Sequence, residues 1–168
     1  TALAGPAAAK GRLRAGPDAA AGSLAPRSDP QNPGRTMATQ ELATALTQSQ
    51  SHLQGPRKQA EEYLKAAAKR PGFATAVVNV LLTPGLDVAV MQAAAVAFKN
   101  HVKYHWVPEE DNPFGEPLIP ISPEEKAQIK THLINLMLAS TQTVQSQLSE
   151  ALTIICKTDF PEQWQNLV

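Results

Sequence analysis

The sequence predicts an all-α fold, a superhelical solenoid in which short helical hairpins stack on one another. Three observations predict it: apolar residues recur at helical spacing from Thr39 onward, prolines and glycines cut this pattern into short segments, and the segments pair at a regular interval. An apolar period of 3.6 residues indicates amphipathic helices. Because one amphipathic hairpin cannot bury its own apolar stripe, a regular series of such pairs is typical of stacked repeats.

The first hairpin is predicted between Thr39 and Arg70. Its first helix runs from Thr39 to His52, and its apolar side consists of Leu42, Ala45, Leu46 and Leu53. After a turn at Gln54-Gly55, Pro56 suits the first position of the second helix. The inner face of that helix consists of Ala60, Tyr63, Leu64, Ala67 and Ala68.

The second hairpin is predicted between Phe73 and Trp106. Its first helix carries a stripe of Phe73, Val77, Val80 and Leu81 and ends at Thr83-Pro84-Gly85. Asp87 can cap the next helix. The apolar residues of that fourth helix keep the i, i+3, i+4, i+7 rhythm over several turns; they are Val88, Met91, Ala95, Phe98, Val102 and Trp106.

The third hairpin is predicted after a proline-rich loop from Val107 to Ile121. Ser122 and Glu125 form a predicted capping box, in which Glu125 reaches back to the backbone of the serine. The fifth helix has an apolar face of Ile129, Leu133, Leu136 and Met137, and the sixth has one of Val144, Leu148, Ala151, Leu152 and Ile155. Asp159, Pro161 and Glu162 predict the start of a seventh helix, within which the chain stops at Val168.

These helix pairs begin near residues 39, 72, 122 and 160. A period of about 40 residues is typical of HEAT-type repeats. The sequence therefore predicts three helical hairpins and the start of a fourth over residues 39–168, a solenoid that is interrupted at its C-terminus.

Residues 1–38 are predicted to be a disordered leader. They are rich in Ala, Gly, Pro and Arg and lack aromatic residues, so they cannot bury enough apolar surface to offset the entropy of ordering. We expect Met37 to be the start of the natural protein and the preceding residues to be a translated leader. An organellar transit peptide is the alternative, although proline would interrupt its amphipathic helix.

Composition excludes several classes of function. The formal net charge is +0, which gives no electrostatic reason to expect nucleic acid or an anionic membrane as a partner. A single cysteine excludes an internal disulfide and a zinc site built on several thiolates, and no apolar run reaches the roughly 20 residues that cross a bilayer. Because phosphate-binding and nucleophile motifs are also absent from the sequence, we predict neither catalysis nor a cofactor.

Two motifs carry a resemblance to a known family. AAVAFKNHVKYHW, from Ala94 to Trp106, resembles the second repeat of the importin-beta N-terminal domain, in which an apolar helix carries Lys-Asn and ends at Trp. QSQLSEALTIICKTDFPEQWQNLV, from Gln145, is similar to the third repeat and its Asp-Phe-Pro-x-x-Trp junction. HLINLMLAS before it resembles the exporters that return importin-alpha to the cytoplasm, whereas the loop from Pro117 to Pro123 departs from the family pattern.

The resemblance implies a function. It implies the amino-terminal part of a nuclear export receptor of the importin-beta superfamily, with the GTP form of the GTPase Ran, importin-alpha as cargo, and nuclear pore proteins as partners. Such a receptor would shuttle between nucleus and cytoplasm, and the nucleotide would belong to Ran. An import receptor of the same superfamily, or an unrelated helical-repeat scaffold, are the alternatives.

The same resemblance implies that the second helix of each hairpin faces Ran. On the fourth helix, Gln92, Lys99 and Lys103 lie along one line away from the apolar stripe, and Asn100 adjoins it. We expect these four residues to contact Ran. A solvated helix face would explain the two lysines equally well, and the Asn100 amide can instead serve the backbone or a stacked helix.

The remaining polar and aromatic residues have structural interpretations. Phe98, Trp106, Leu148, Phe160 and Trp164 are predicted core residues. His101 and His105 lie at i and i+4, but no third ligand accompanies them, so we expect a surface pair and no metal. Cys156 lies on the apolar side of its helix and is predicted to be a small core residue.

Overall fold

Six helices make up most of the chain that the computed structural model describes, which is residues 33–109 and 113–165, with side chains from residue 38 onward. They are α1 (Pro33–Ser49), α2 (Gln54–Ala68), α3 (Phe73–Leu81), α4 (Val88–His105), α5 (Pro123–Ala139) and α6 (Gln142–Asp159). No strand occurs within these two ranges. The predicted all-α fold is confirmed.

The helices pack as three hairpins in two layers. α1 packs on α2, α3 on α4, and α5 on α6, while α1, α3 and α5 lie side by side in what we call the first-helix layer. In the second-helix layer, which consists of α2, α4 and α6, the contact between α4 and α6 is extensive. This arrangement is the stacked-hairpin solenoid that the repeat period predicts.

Two of the predicted helix starts have the expected caps. The Asp87 carboxylate accepts a hydrogen bond of 2.8 Å from the Ala89 N–H, and the Ser122 hydroxyl accepts one of 3.2 Å from the Glu125 N–H. The second half of the predicted capping box is wrong, however. The Glu125 carboxylate instead accepts hydrogen bonds from the backbone N–H groups of Gly72 and Thr75, at 3.3 and 2.9 Å. Gly72 has no side chain with which to cap α3, so the neighbouring helix supplies the acceptor.

Most predicted core residues are buried. Phe98, Trp106, Leu148 and Trp164 all lie in one apolar cluster that runs through the three hairpins. Phe160 is the exception, with 45% of its surface exposed. α6 ends at Asp159 and Phe160 takes an extended conformation, so Asp159 occupies the inward position and the Phe160 ring lies outside the core.

Two other apolar positions were predicted wrongly. Leu53 does not belong to the apolar side of α1, because α1 ends at Ser49 and Leu53 is the exposed cap residue of α2. Val88 is exposed at the first position of α4, since the buried side of that helix contains Val90 and Ala94 instead. Both errors lie at helix ends, where a periodic pattern has too few turns to define a face.

The two ends of the chain extend beyond the described residues. The predicted leader lies outside them up to residue 32, but residues 33–38 belong to α1, which starts at Pro33 instead of Thr39. Proline is favoured at this first position because its missing N–H needs no helical partner. After α6, residues 160–163 form a turn and the description ends at residue 165, so the seventh helix stays a prediction. Within the described ranges, no helix combines the length and the apolar character needed to span a bilayer.

Candidate functional site

The predicted Ran-facing residues lie on the side of α4 opposite its core contacts. α4 buries a line that contains Ala94, Phe98 and Val102. Gln92, Asn100 and Lys103 are exposed, and Lys99 is half-buried. The helix therefore presents two amides and two ammonium groups away from its own hairpin partner.

A cleft separates α4 from α2. α2 packs mainly against α1, which leaves an open volume of about 540 Å³ between α1, α2 and α4. The α4 wall of this cleft consists of small and amide side chains, which are Ala89, Gln92, Ala93, Val96, Ala97 and Asn100. Gln92 and Asn100 thus place polar amides on an α4 wall whose other side chains are apolar. The Asn100 side chain remains exposed instead of serving a stacked helix.

Lys99 forms an ion pair within the solenoid. Its Nζ lies 3.1 Å from Oε2 of Glu150 on α6, and the two side chains are 22% and 56% exposed. The pair connects the second helices of two consecutive hairpins. Sequence reasoning missed Glu150. The repeat pattern places α6 beside α4, but it does not give the register of the two helices, and that register decides whether Lys99 meets a residue 51 positions later in the chain.

Lys103 has different surroundings. Its Nζ lies 5.2 Å from the centroid of the Tyr104 ring, and the Tyr104 ring meets Phe114 edge-on at 5.0 Å. In the described part of the chain, no carboxylate forms an ion pair with Lys103. Its ammonium is thus the exposed cation of this face, beside an aromatic pair whose Phe114 is itself exposed.

One member of the predicted surface histidine pair, His101, is buried, whereas His105 is half-buried. His101 is 9% exposed, and its ring stacks on His105 at 4.0 Å and tilts against Phe73 at 4.9 Å. Burial, with a smaller contribution from His105, lowers the pKa of His101 to about 3, so the ring is neutral at physiological pH. The buried side of α4 is wider than the predicted stripe because α3 also covers His101. Across the described ranges, no three His, Cys, Asp or Glu side chains converge as metal ligands.

A buried polar cluster joins α4, α5 and α6 at the end of the third hairpin. Asp159 accepts hydrogen bonds from Trp106 Nε1 at 3.1 Å and from the Thr158 hydroxyl at 3.0 Å, and it forms an ion pair with Lys130. Burial alone would raise the pKa of Asp159, but the hydrogen bonds from Lys130, Trp106 and Thr158 and the Lys130 charge hold that pKa below its usual value. The carboxylate is therefore ionised and structural.

Lys130 completes this cluster. Its ammonium lies 5.9 Å from the Trp106 ring centroid and 5.7 Å from that of Trp164, and it donates a hydrogen bond of 3.0 Å to the Gln163 carbonyl. The Asp-Phe-Pro-x-x-Trp motif thus supplies one buried carboxylate and one buried indole to the same cation. Sequence reasoning took Asp159 as a helix-start residue and as part of this motif but did not identify its partners. The occurrence of Asp and Trp in one short motif was the available signal that they could share a partner.

Cys156 packs against the core and is partly buried. Burial, with the nearby Asp159 charge, raises the pKa of its thiol. Because the thiolate is the reactive form, a raised pKa disfavours nucleophilic chemistry at this residue.

Comparison with known proteins agrees with this architecture. Residues 60–139 match the importin-beta N-terminal domain. The chain is 34% identical to exportin-2 of Oreochromis niloticus over 112 residues, which are 67% of this chain and 11% of that protein. It is 38% identical to the importin-alpha re-exporter of Schizosaccharomyces pombe over 112 residues, which are 66% of this chain and 11% of the relative.

A solved structure has the same fold. The exportin Cse1 in its cargo-free, cytoplasmic state aligns with a TM-score of 0.65 and 26% identity, over 76% of this chain and 13% of that one. The stacked hairpins and the matched domain define a helical-repeat protein, and the chain belongs to the importin-beta family. Within that family it is related to exportin-2 and the importin-alpha re-exporter, and it spans about a tenth of their length.

Proposed function

We propose that the chain is the amino-terminal part of a nuclear export receptor that binds the GTP form of Ran and carries importin-alpha from the nucleus to the cytoplasm. The observation that carries this proposal is the 32–38% identity to exportin-2 and the importin-alpha re-exporter. In this proposal the receptor is not an enzyme. It shuttles through the nuclear pore in contact with pore proteins, and nucleotide hydrolysis takes place on Ran.

The second-helix layer supports a role in Ran binding. On α4 it presents the Lys103 ammonium and the amides of Gln92 and Asn100, which lie beside the cleft between α2 and α4. The Lys99–Glu150 pair between α4 and α6 adds a second ammonium group. Ammonium groups at the rim of an interface favour an acidic partner and increase its association rate. Amides along an apolar wall supply the few oriented hydrogen bonds that such a groove needs for specificity.

Discrimination between the two nucleotide states of Ran tests the first half of the proposal. The 168-residue chain is immobilised, and binding of Ran loaded with a non-hydrolysable GTP analogue is compared with that of Ran loaded with GDP. We expect the GTP-analogue form to bind more tightly. Equal affinity for the two forms would contradict a receptor of this family.

The direction of transport requires a second measurement, because the importin-beta N-terminal domain does not by itself distinguish export from import. In an exporter, GTP-loaded Ran and cargo bind together, so their affinities increase one another. We expect capture of importin-alpha by the complete receptor to rise when GTP-loaded Ran is added. Release of bound importin-alpha under the same conditions would identify an import receptor instead.

A further inference from the structure

Glu150 places a carboxylate within the face that we assign to Ran. It lies on α6, and Oε2 is 3.1 Å from the Lys99 ammonium of α4. Of the two predicted ammonium groups on this face, Lys99 is therefore already paired. An acidic partner that approaches Lys99 meets an existing negative charge at the same position.

We propose that Glu150 is an internal acidic competitor, which occupies Lys99 and must be displaced before a carboxylate of the partner can pair with that lysine. This inference rests on the proposed function, because it concerns the same Ran-binding face. In this proposal, Glu150 lowers the affinity of the face for Ran. Lys99 exchanges the Glu150 carboxylate for a carboxylate of the partner.

The exposure of the pair supports exchange instead of a fixed structural contact. Glu150 is 56% exposed, and an ion pair in contact with water contributes little to folding stability. The Lys130–Asp159 ion pair is different, because its side chains are only 13% and 3% exposed and the pair is fixed within the core. The contact between α4 and α6 does not depend on Glu150, since buried apolar residues such as Phe98 and Leu148 fill the core there.

The chemistry of lysine also favours exchange. Its ammonium is a compact charge on a flexible stem with three donors, and it has no planar fork that would fix one partner. When a carboxylate of the partner takes over the ammonium, the Glu150 side chain can turn into water at low cost because half of it is already hydrated.

The Glu150→Gln variant tests the proposal. It keeps the shape of the side chain and removes its charge. In the 168-residue chain, we expect Glu150→Gln to increase affinity for Ran loaded with a GTP analogue by about two- to fivefold, the range of an exposed charge pair. The gain in affinity should be present at about 0.1 M salt and small at about 1 M. The reason is that the screening length is roughly 10 Å at the lower salt concentration and roughly 3 Å at the higher one.

Two controls separate this mechanism from a general effect of charge. Glu124→Gln makes the same change in net charge on α5, in the other helix layer, and should leave the affinity unchanged. In a Lys99→Met background, Glu150→Gln should give no further gain, because the competed cation is gone. An unchanged unfolding midpoint for Glu150→Gln shows that any change in affinity does not come from the fold.

The outcomes are distinct. Weaker or unchanged binding of Glu150→Gln, while the wild-type chain still prefers the GTP form, would overturn the proposal and show that Glu150 supports Lys99 or is irrelevant to it. A gain that persists in the Lys99→Met background would overturn it as well. If the wild-type chain does not distinguish the two forms of Ran, the proposed function itself fails, and this inference fails with it.

Discussion

The indole nitrogen of Trp106 donates a hydrogen bond of 3.1 Å to Oδ1 of Asp159, which joins the end of α4 to the end of α6. The same carboxylate forms an ion pair with Lys130 of α5. One buried acid therefore connects three helices of two consecutive hairpins. Because a buried charge is costly unless it is paired, this cluster permits one register between the second and third hairpins and penalises others.

Removal of the Asp159 charge should destabilise the solenoid. Asp159→Asn leaves the Lys130 ammonium without its carboxylate in a position where only 13% of the lysine side chain is exposed. We expect the free energy of unfolding to fall by about 3 kcal/mol, measured by urea denaturation. The Lys130→Met, Asp159→Asn double variant should lose less than the two single variants combined. Strict additivity of the two losses would show that the pair is not coupled.

The two phenylalanines Phe98 and Phe160 should respond very differently to truncation. Phe98 is fully buried, so Phe98→Ala should cost about 3–5 kcal/mol of unfolding free energy. Phe160 is 45% exposed, and Phe160→Ala should cost about 1 kcal/mol or less. Thermal or urea unfolding of the two variants measures this difference. If Phe160→Ala lowered the unfolding free energy as much as Phe98→Ala, the Phe160 ring would have to pack against buried residues.

The helices themselves could be predicted because their signals are local. The core residues of α4 recur at helical spacing over about five turns. Asp87 and Ser122 cap their helices by accepting hydrogen bonds from backbone N–H groups that lie two and three residues later. These signals require no knowledge of the rest of the fold. The stacked-hairpin architecture followed from the repetition of such segments, since each hairpin must bury its stripe on a neighbour.

The polar contacts between hairpins could not be predicted in the same way. Glu125 with Thr75, Lys99 with Glu150, and Trp106 with Asp159 each join residues 50 or more positions apart. Which residues meet depends on the register and rotation of stacked helices, and a periodic pattern does not contain that information. Lys99 lies away from the apolar stripe of α4, as predicted, but it is half-buried and its pairing with Glu150 was missed.

Glu125 should stabilise α3 although it belongs to α5. Its carboxylate accepts hydrogen bonds from two N–H groups at the start of α3. We expect Glu125→Ala to lower the free energy of unfolding by about 1 kcal/mol, the usual cost of losing an N-terminal cap. Glu124→Ala is the matched control, because Glu124 is also in the first turn of α5 but is exposed. Equal losses for the two variants would indicate an effect on α5 alone.

Burial of neutral His101 should make the solenoid sensitive to mild acid. The unfolded chain protonates this histidine near its ordinary pKa of 6.5, whereas the folded chain does so only near a pKa of about 3. Below pH 6.5 the unfolded state therefore binds more protons, so stability falls with decreasing pH and this loss levels off near pH 3. Between pH 6.5 and 5 the loss should be about 2 kcal/mol.

The His101→Phe variant isolates that effect, because phenylalanine preserves a ring between Phe73 and His105 without a titrating group. We expect its unfolding free energy to change less than that of the wild type when urea denaturation at pH 7.5 is compared with that at pH 5. Measurement at no lower than pH 5 keeps most carboxylate titration out of the comparison. The same pH dependence in both proteins would assign the effect to other groups.

Lys103 and Lys99 should contribute unequally to binding of GTP-loaded Ran. Lys103 is exposed and forms no ion pair within the described residues, whereas Lys99 is already neutralised by Glu150. We expect Lys103→Gln to weaken binding by about two- to fivefold at low salt and Lys99→Gln to weaken it less. Lys126→Gln on α5 removes the same charge from the first-helix layer and should leave affinity unchanged. Biolayer interferometry at several salt concentrations measures all three variants. If Lys126→Gln weakened binding as much as Lys103→Gln, the partner would contact the first-helix layer, and the face assigned here would be wrong.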